Sequence, residues 1–115
     1  MDDCIFCKIV SKESQAEILM ETDSFVVFKD IYPSAPVHYL AVLKKHVTSI
    51  KETSQADETL LGGLILTAKL AAEKLGLTGY KLVFNVGKEG GQIVDHLHLH
   101  ILGGWGKNNA NTVNI

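Results

Sequence analysis

Residues 91–102 read Gly91-Gln92-Ile93-Val94-Asp95-His96-Leu97-His98-Leu99-His100-Ile101-Leu102. From His96 onward polar and apolar side chains alternate without a break, the period of a strand whose two faces meet different surroundings. A strand over Gln92 to Leu102 is expected, with His96, His98 and His100 on one face and Leu97, Leu99 and Ile101 turned into a core. At about 3.3 Å per residue neighbouring histidines stand about 7 Å apart at Cα and the outer two about 13 Å. Two adjacent imidazoles can converge on one metal ion with bonds of about 2 Å, but three cannot without a bulge. At least one histidine is therefore left for other chemistry. Near neutral pH an imidazole serves as nucleophile, proton donor or metal ligand, and spacing does not choose among these. A solvent-facing histidine-rich edge strand is the plain alternative. The flanking Gly90-Gly91 and Gly103-Gly104 disfavour it, because paired glycines let backbone approach a ligand closely.

Outward from this stretch, Tyr80 to Val86 reads as the preceding strand and Gly87 to Gly91 as the turn between them. From Asp57 to Leu75 the residues Leu60, Leu61, Leu64, Ala68, Ala71, Ala72 and Leu75 follow helical spacing, and Gly76 stands where a C′ glycine belongs. Ile65, Leu66 and Leu70 widen that stripe beyond one face, and Gly62-Gly63 cost helix stability of about 1 kcal/mol each unless close packing compensates. Such a helix suits contact with a second subunit. Further upstream, Val37 to Leu43 is a buried strand, and Tyr32-Pro33-Ser34-Ala35-Pro36 a loop. Ile18-Leu19-Met20-Glu21 and Phe25-Val26-Val27-Phe28 form a hairpin about Thr22-Asp23-Ser24. A short helix reaching Val10 is expected to be capped by Asp2 or Asp3, with Cys4 and Cys7 at its start. Strands, one long helix, then strands again favour an α+β fold with an antiparallel sheet of about five strands.

The chain has 115 residues, enough for one domain, and its 46% hydrophobic and 21% charged content belongs to a folding chain, not a disordered one. Eleven basic and 13 acidic side chains leave a formal charge of -2, without the cationic field that would hold a polynucleotide. The apolar stretch Leu60 to Ala72 falls short of the roughly 20 residues of a membrane helix. The acidic start Met1-Asp2-Asp3 lacks the form of a secretory signal, so a cytoplasmic protein is expected. In a reducing compartment Cys4-Ile5-Phe6-Cys7 reads as metal-binding or redox-active, with buried free thiols the third option; the βαβ setting of a thioredoxin-like pair is missing. There is no Walker lysine loop, no G-x-G-x-x-G after a strand and no G-x-S-x-G.

The stretch from Gly91 to Leu102 closely resembles the signature of the histidine triad (HIT) superfamily of nucleotide-binding hydrolases and transferases, and most resembles its Hint branch. The likeness runs along nearly the whole chain: Cys4-Ile5-Phe6-Cys7-Lys8-Ile9 resembles the family's opening, and the stretch from Phe28 to His38 its loop of the form D-x-x-P-x-A-P-x-H. Lys44-Lys45-His46 and Asn85 fall where the family has counterparts. The resemblance implies one HIT domain over residues 1–115, with 105–115 a tail, and a homodimer that joins sheets and packs long helices across a two-fold axis. It also implies a purine nucleotide (AMP- or GMP-like) site on the histidine face. His98 would be the nucleophile toward a nucleoside 5′-phosphoramidate, forming a nucleotidyl-histidine that water then hydrolyses. His100 and the Gln92 amide would donate to phosphate oxygens, with a main-chain N–H at Ile93 or near His98, and no catalytic metal is required. His38 would orient or protonate the leaving side, Asn85 hold the phosphate or leaving group, and Asp30 accept the ribose hydroxyls. Phe6, Phe28, Ile31 and Leu40 resemble the base pocket. A binding or scaffold module with little catalysis, a dinucleoside polyphosphate hydrolase, and a zinc hydrolase with a metal-bound water at the triad are the alternatives.

Cys4, Cys7, His46 and His96 supply two thiolates and two imidazoles, a set typical of structural zinc that zinc-bearing members of the superfamily use. The chain departs from the Hint pattern at Ile93, where a hydroxyl residue is usual, at Asp95, and after Trp105, where an Asn-rich end replaces a Trp-Pro-Pro-Gly type tail.

Overall fold

The computed structural model describes residues 3–106, so the tail beyond Gly106 lies outside the described residues. Helix α1 (Ile5–Val10) is followed by strands β1 (Ile18–Glu21), β2 (Phe25–Lys29) and β3 (Val37–Leu43), helix α2 (Glu58–Lys74), and strands β4 (Tyr80–Val83) and β5 (His98–Gly103). The five strands form one antiparallel sheet in the order β1-β2-β3-β5-β4. This is the expected α+β arrangement. β3 and β5 are the inner pair, with Val42 opposite His98 and Leu40 opposite His100.

The pleat sorts the sheet into two faces. Phe25 and Val27 of β2, Ala41 and Leu43 of β3, and Leu99 and Ile101 of β5 pack with Leu64, Ala68, Ala71 and Ala72 of α2. Their alternate neighbours Val26, Phe28, Leu40 and Val42 pack with Phe6 and Ile9 of α1. The alanines let α2 lie close to the sheet, and Gly63 extends the contact: a Cβ there would meet the Phe25 ring at 3.0 Å. α2 ends as its sequence suggests. Gly76 adopts φ +75°, its N–H donates to the Glu73 carbonyl and the Leu77 N–H to the Ala72 carbonyl, closing a Schellman motif. Among the described residues no helix is long and apolar enough to cross a membrane.

Three boundaries differ from expectation. The N-cap of α1 is Cys4, whose Sγ accepts the Cys7 backbone N–H at 3.4 Å. Asp3 lies in an exposed turn, and Asp2 is outside the described residues. β5 begins at His98, not Gln92, because earlier N–H groups are committed elsewhere: Leu97 N–H donates to the Val47 carbonyl at 2.7 Å and His96 N–H to the Val94 carbonyl at 2.9 Å. His96 thus stands just before the strand, although Leu97, Leu99 and Ile101 all reach the helix-side core. β4 stops at Val83, opposite His100, and the chain then leaves the ladder three residues earlier than the expected Val86.

Candidate functional site

α1 covers only part of the second sheet face, and beside it opens a cleft of ≈ 500 Å³. His98, His100, His38 and Asn85 line it, as do Asp30 and Ile31 from the loop after β2. Phe6, Phe28 and Leu40 line its apolar part and Ile93 its rim. Gln92 does not. Its amide donates to the Thr48 carbonyl (2.6 Å) and the Val94 carbonyl (2.9 Å), and its oxygen accepts the Gly87 N–H (2.9 Å). With these bonds made and the residue buried, Gln92 clasps the 87–94 loop and leaves no donor for a phosphate. The sequence-based role of Gln92 is therefore replaced by a supporting one.

Backbone groups fix which imidazole nitrogen carries the proton. His98 Nδ1 lies 2.6 Å from the His96 carbonyl oxygen, so it donates, and the lone pair is on Nε2. The Ser34 N–H donates to His38 Nδ1 at 2.9 Å, which puts the His38 proton on Nε2. That Nε2–H faces His100 Nδ1 at 2.9 Å, with Asp30 Oδ2 at 3.4 Å. His100 Nδ1 accepts, and its own proton sits on Nε2; Asn85 Nδ2, 3.4 Å away and itself a donor, neighbours that N–H and is not its hydrogen-bond acceptor. A chain of donors starting at a loop backbone amide thus ends as an N–H on His100. Sequence reasoning missed Ser34, because its contribution is a main-chain group that any residue would supply.

Burial sets the charge state. Removal from water holds His98 and His38 below the ordinary imidazole value of 6.5, and His100 is pushed down to about 4 by burial first and by His98 and His38 next. The imidazoles are neutral at neutral pH, as a nitrogen nucleophile requires. Asp30 accepts the Tyr32 N–H on Oδ1 at 2.8 Å, an Asx turn that orients the carboxylate and leaves Oδ2 toward His38. Asp30, His38 and His100 are also near enough to share a cation. Ligation through His38 Nε2 would move its proton to Nδ1, against the Ser34 N–H, so a hydrogen-bonded relay fits this group better than a metal.

A second cluster lies at the N-terminal end of α1. Cys4, Cys7, His46 and His96 bring one ligand atom each to within 4.8 Å of one another. His96 is fully buried and its Nε2 lies 2.6 Å from the Leu43 carbonyl, so Nε2–H donates and Nδ1 keeps its lone pair. That Nδ1 faces Cys4 Sγ at 3.3 Å, Cys7 Sγ at 3.5 Å and His46 Nδ1 at 3.1 Å. A tetrahedral ion with N and S bonds of about 2.0 to 2.3 Å separates its ligands by about 3.3 to 3.8 Å. The observed spacings approach that range, the donors suit a borderline cation, and a backbone carbonyl orients the His96 ring as metal-ligating histidines need. The four residues could hold a metal ion.

The family model described as "Scavenger mRNA decapping enzyme C-term binding" matches residues 3–112. Protein HitA of Neisseria gonorrhoeae is 46% identical over 104 residues, which cover 90% of this chain and 97% of that protein. This chain belongs to the histidine triad (HIT) superfamily. Solved HIT structures agree with the assignment. A HIT family hydrolase from Clostridium thermocellum is 36% identical with a TM-score of 0.90, over 98% of this chain and 99% of that one. A HIT family hydrolase from Legionella pneumophila is 44% identical with a TM-score of 0.86, over 89% and 93% of the two chains. His96, His98 and His100 are the three histidines that carry the chain's resemblance to the family's signature.

Proposed function

We propose that this HIT protein is a hydrolase of purine nucleoside 5′-phosphoramidates, acting through a nucleotidyl intermediate on His98. One observation carries the reading: the bond from His98 Nδ1 to the His96 carbonyl leaves Nε2 of a cleft-lining, neutral imidazole as the free lone pair. His98 Nε2 attacks the α-phosphorus, a P–N bond to the histidine forms, and the P–N bond to the amine breaks as the amine takes up a proton from solvent, which the water attacking in the next step returns. Water then attacks phosphorus and releases the nucleoside monophosphate with His98 restored. His100, presenting Nε2–H, donates to a phosphoryl oxygen, and His38 is the positioning residue that holds His100 in that tautomer. Asn85 flanks the phosphate, and the main-chain N–H of Ile93 is a further donor. Asp30 Oδ2 takes a ribose hydroxyl, while Phe6, Phe28, Leu40 and Ile31 receive the base. None of these steps calls for a metal. Quenching the protein in turnover with an AMP-amine substrate is expected to place AMP on the peptide carrying His96 to His100 in mass spectra. No adduct, together with unimpaired turnover in His98→Ala, overturns the mechanism.

Cys4, Cys7, His46 and His96 suit structural zinc. Four protein ligands close the coordination shell, and the ion, when bound, crosslinks the start of α1 to two histidines. Elemental analysis is expected to find about one zinc per chain, and less than about half an equivalent counts against it. Two features support a homodimer. Ile65, Leu66 and Leu70 are exposed on α2, and β4, with Leu82, is an edge strand of the sheet among the described residues. Two unlinked cysteines suit a reducing, cytoplasmic setting.

A further inference from the structure

α1 serves two sites at once. It has six residues, and helices below about 12 to 15 residues are marginal on their own, so its place depends on what its side chains hold. Cys4 and Cys7, three apart and on one face, bring their sulfurs to His46 and His96. Between them in sequence, Phe6 is 6% exposed and sets its ring edge-on to His98 at 5.1 Å, His96 at 5.9 Å and Phe28 at 5.4 Å between centroids. Ile5 and Ile9 line the same cleft. A second link runs through His96, whose Nδ1 belongs to the four-residue cluster while its carbonyl takes the His98 Nδ1–H.

We propose that metal loading of the Cys4, Cys7, His46 and His96 cluster and nucleotide binding in the cleft are positively coupled through α1 and His96. The coupling rests on the reading of the cleft as a nucleotide site. A cation that fixes the two sulfurs against His46 and His96 restricts α1 and holds Phe6 as a finished wall beside the nucleophile. A base seated on Phe6 in turn restrains α1 and keeps the sulfurs at the cluster. Without the ion, the helix keeps the packing of Phe6 and Ile9 and the Cys4 cap as its restraints. Linkage makes the effect reciprocal: the factor by which zinc tightens AMP is the factor by which AMP tightens zinc.

The test uses zinc-loaded wild-type protein and AMP as the probe. Calorimetric titration is expected to give an AMP Kd at least about fivefold weaker after chelator stripping. Release of zinc to excess chromogenic chelator is expected to slow by a comparable factor under saturating AMP, with inorganic phosphate as the control for chelation by the phosphate group. If stripped protein loses its circular dichroism, zinc release from the loaded protein decides alone. Phe6→Leu is expected to retain zinc but lose the AMP effect on its release. Equal AMP affinities with unchanged zinc release overturn the coupling and leave the nucleotide site standing; absence of AMP binding to either form overturns both. An undiminished AMP effect in Phe6→Leu overturns the route through α1.

Discussion

The Ser34 N–H and the His96 carbonyl decide what three imidazoles can do. One sets His38, and through it His100, as a donor; the other reserves Nε2 of His98 as a lone pair. Removing that lone pair removes the only group assigned to bond phosphorus. His98→Ala is therefore expected to lower turnover of an adenosine 5′-phosphoramidate by at least about 10³-fold with circular dichroism unchanged. A rate near wild type takes the nucleophile's role from His98. The alternation around Leu97 and Leu99 makes His98 and His100 legible in the sequence as two residues on one face. Gln92 is not legible in the same way. An amide suits a phosphate and a backbone carbonyl equally, and only the fold brings Thr48 and Gly87 to it.

Elements add a constraint that no residue carries alone, the distance at which they lie. Gly62 and Gly63 look alike in sequence, yet a Cβ on Gly63 meets Phe25 at 3.0 Å and one on Gly62 meets nothing within 4 Å. Gly63→Ala is expected to destabilise by about 1 to 3 kcal/mol through overpacking, and by more than Gly62→Ala, whose Cβ meets nothing within its own chain. Thermal unfolding of both variants checks the contrast, and equal shifts in Tm contradict the packing of α2 on β2. Helix α2 is legible almost to the residue, since its apolar period and Gly76 are local signals. The start of β5 is not, because the bond that ends the preceding loop comes from Val47, about 50 positions upstream.

Among the described residues, all the exposed large apolar side chains but Ile18 of β1 gather in two places, the mouth of the cleft (Ile5, Ile31, Tyr32, Ile93) and the outer side of α2 with β4 (Ile65, Leu66, Leu70, Leu82). The second is the surface assigned to a partner copy. Leu66→Glu with Leu70→Glu is expected to halve the mass measured by light scattering, whereas an unchanged mass removes α2 from the interface. Acid stability follows from the histidines. Burial holds His38 and His100 below 6.5, so the unfolded chain binds more protons than the folded one between 6.5 and about 4. Their contribution is complete above pH 6.5 and is lost as pH falls toward about 4. Urea midpoints should drop across that interval, and midpoints independent of pH there contradict the buried neutral state. The fold class is legible as a whole because each strand carries a local signal, alternation in β5 and apolar β-branched or aromatic runs in β2 and β3; the strand order needs pairings far apart in sequence.

That strand order has a kinetic consequence. β3 finds one inner neighbour only when residue 42 meets residue 98, across a connection that contains all of α2 and β4. Loop closure on that scale is slow to be rewarded, so folding is expected to place the β3–β5 ladder late, after the β1-β2-β3 meander has formed from short connections. Until then the edge of β3 lies open, with Leu40 and Val42 bare beside unpaired amides, and that is the stage at which a nascent chain is most exposed to wrong partners. The ladder that brings His98 to the cleft is also the one that closes this edge.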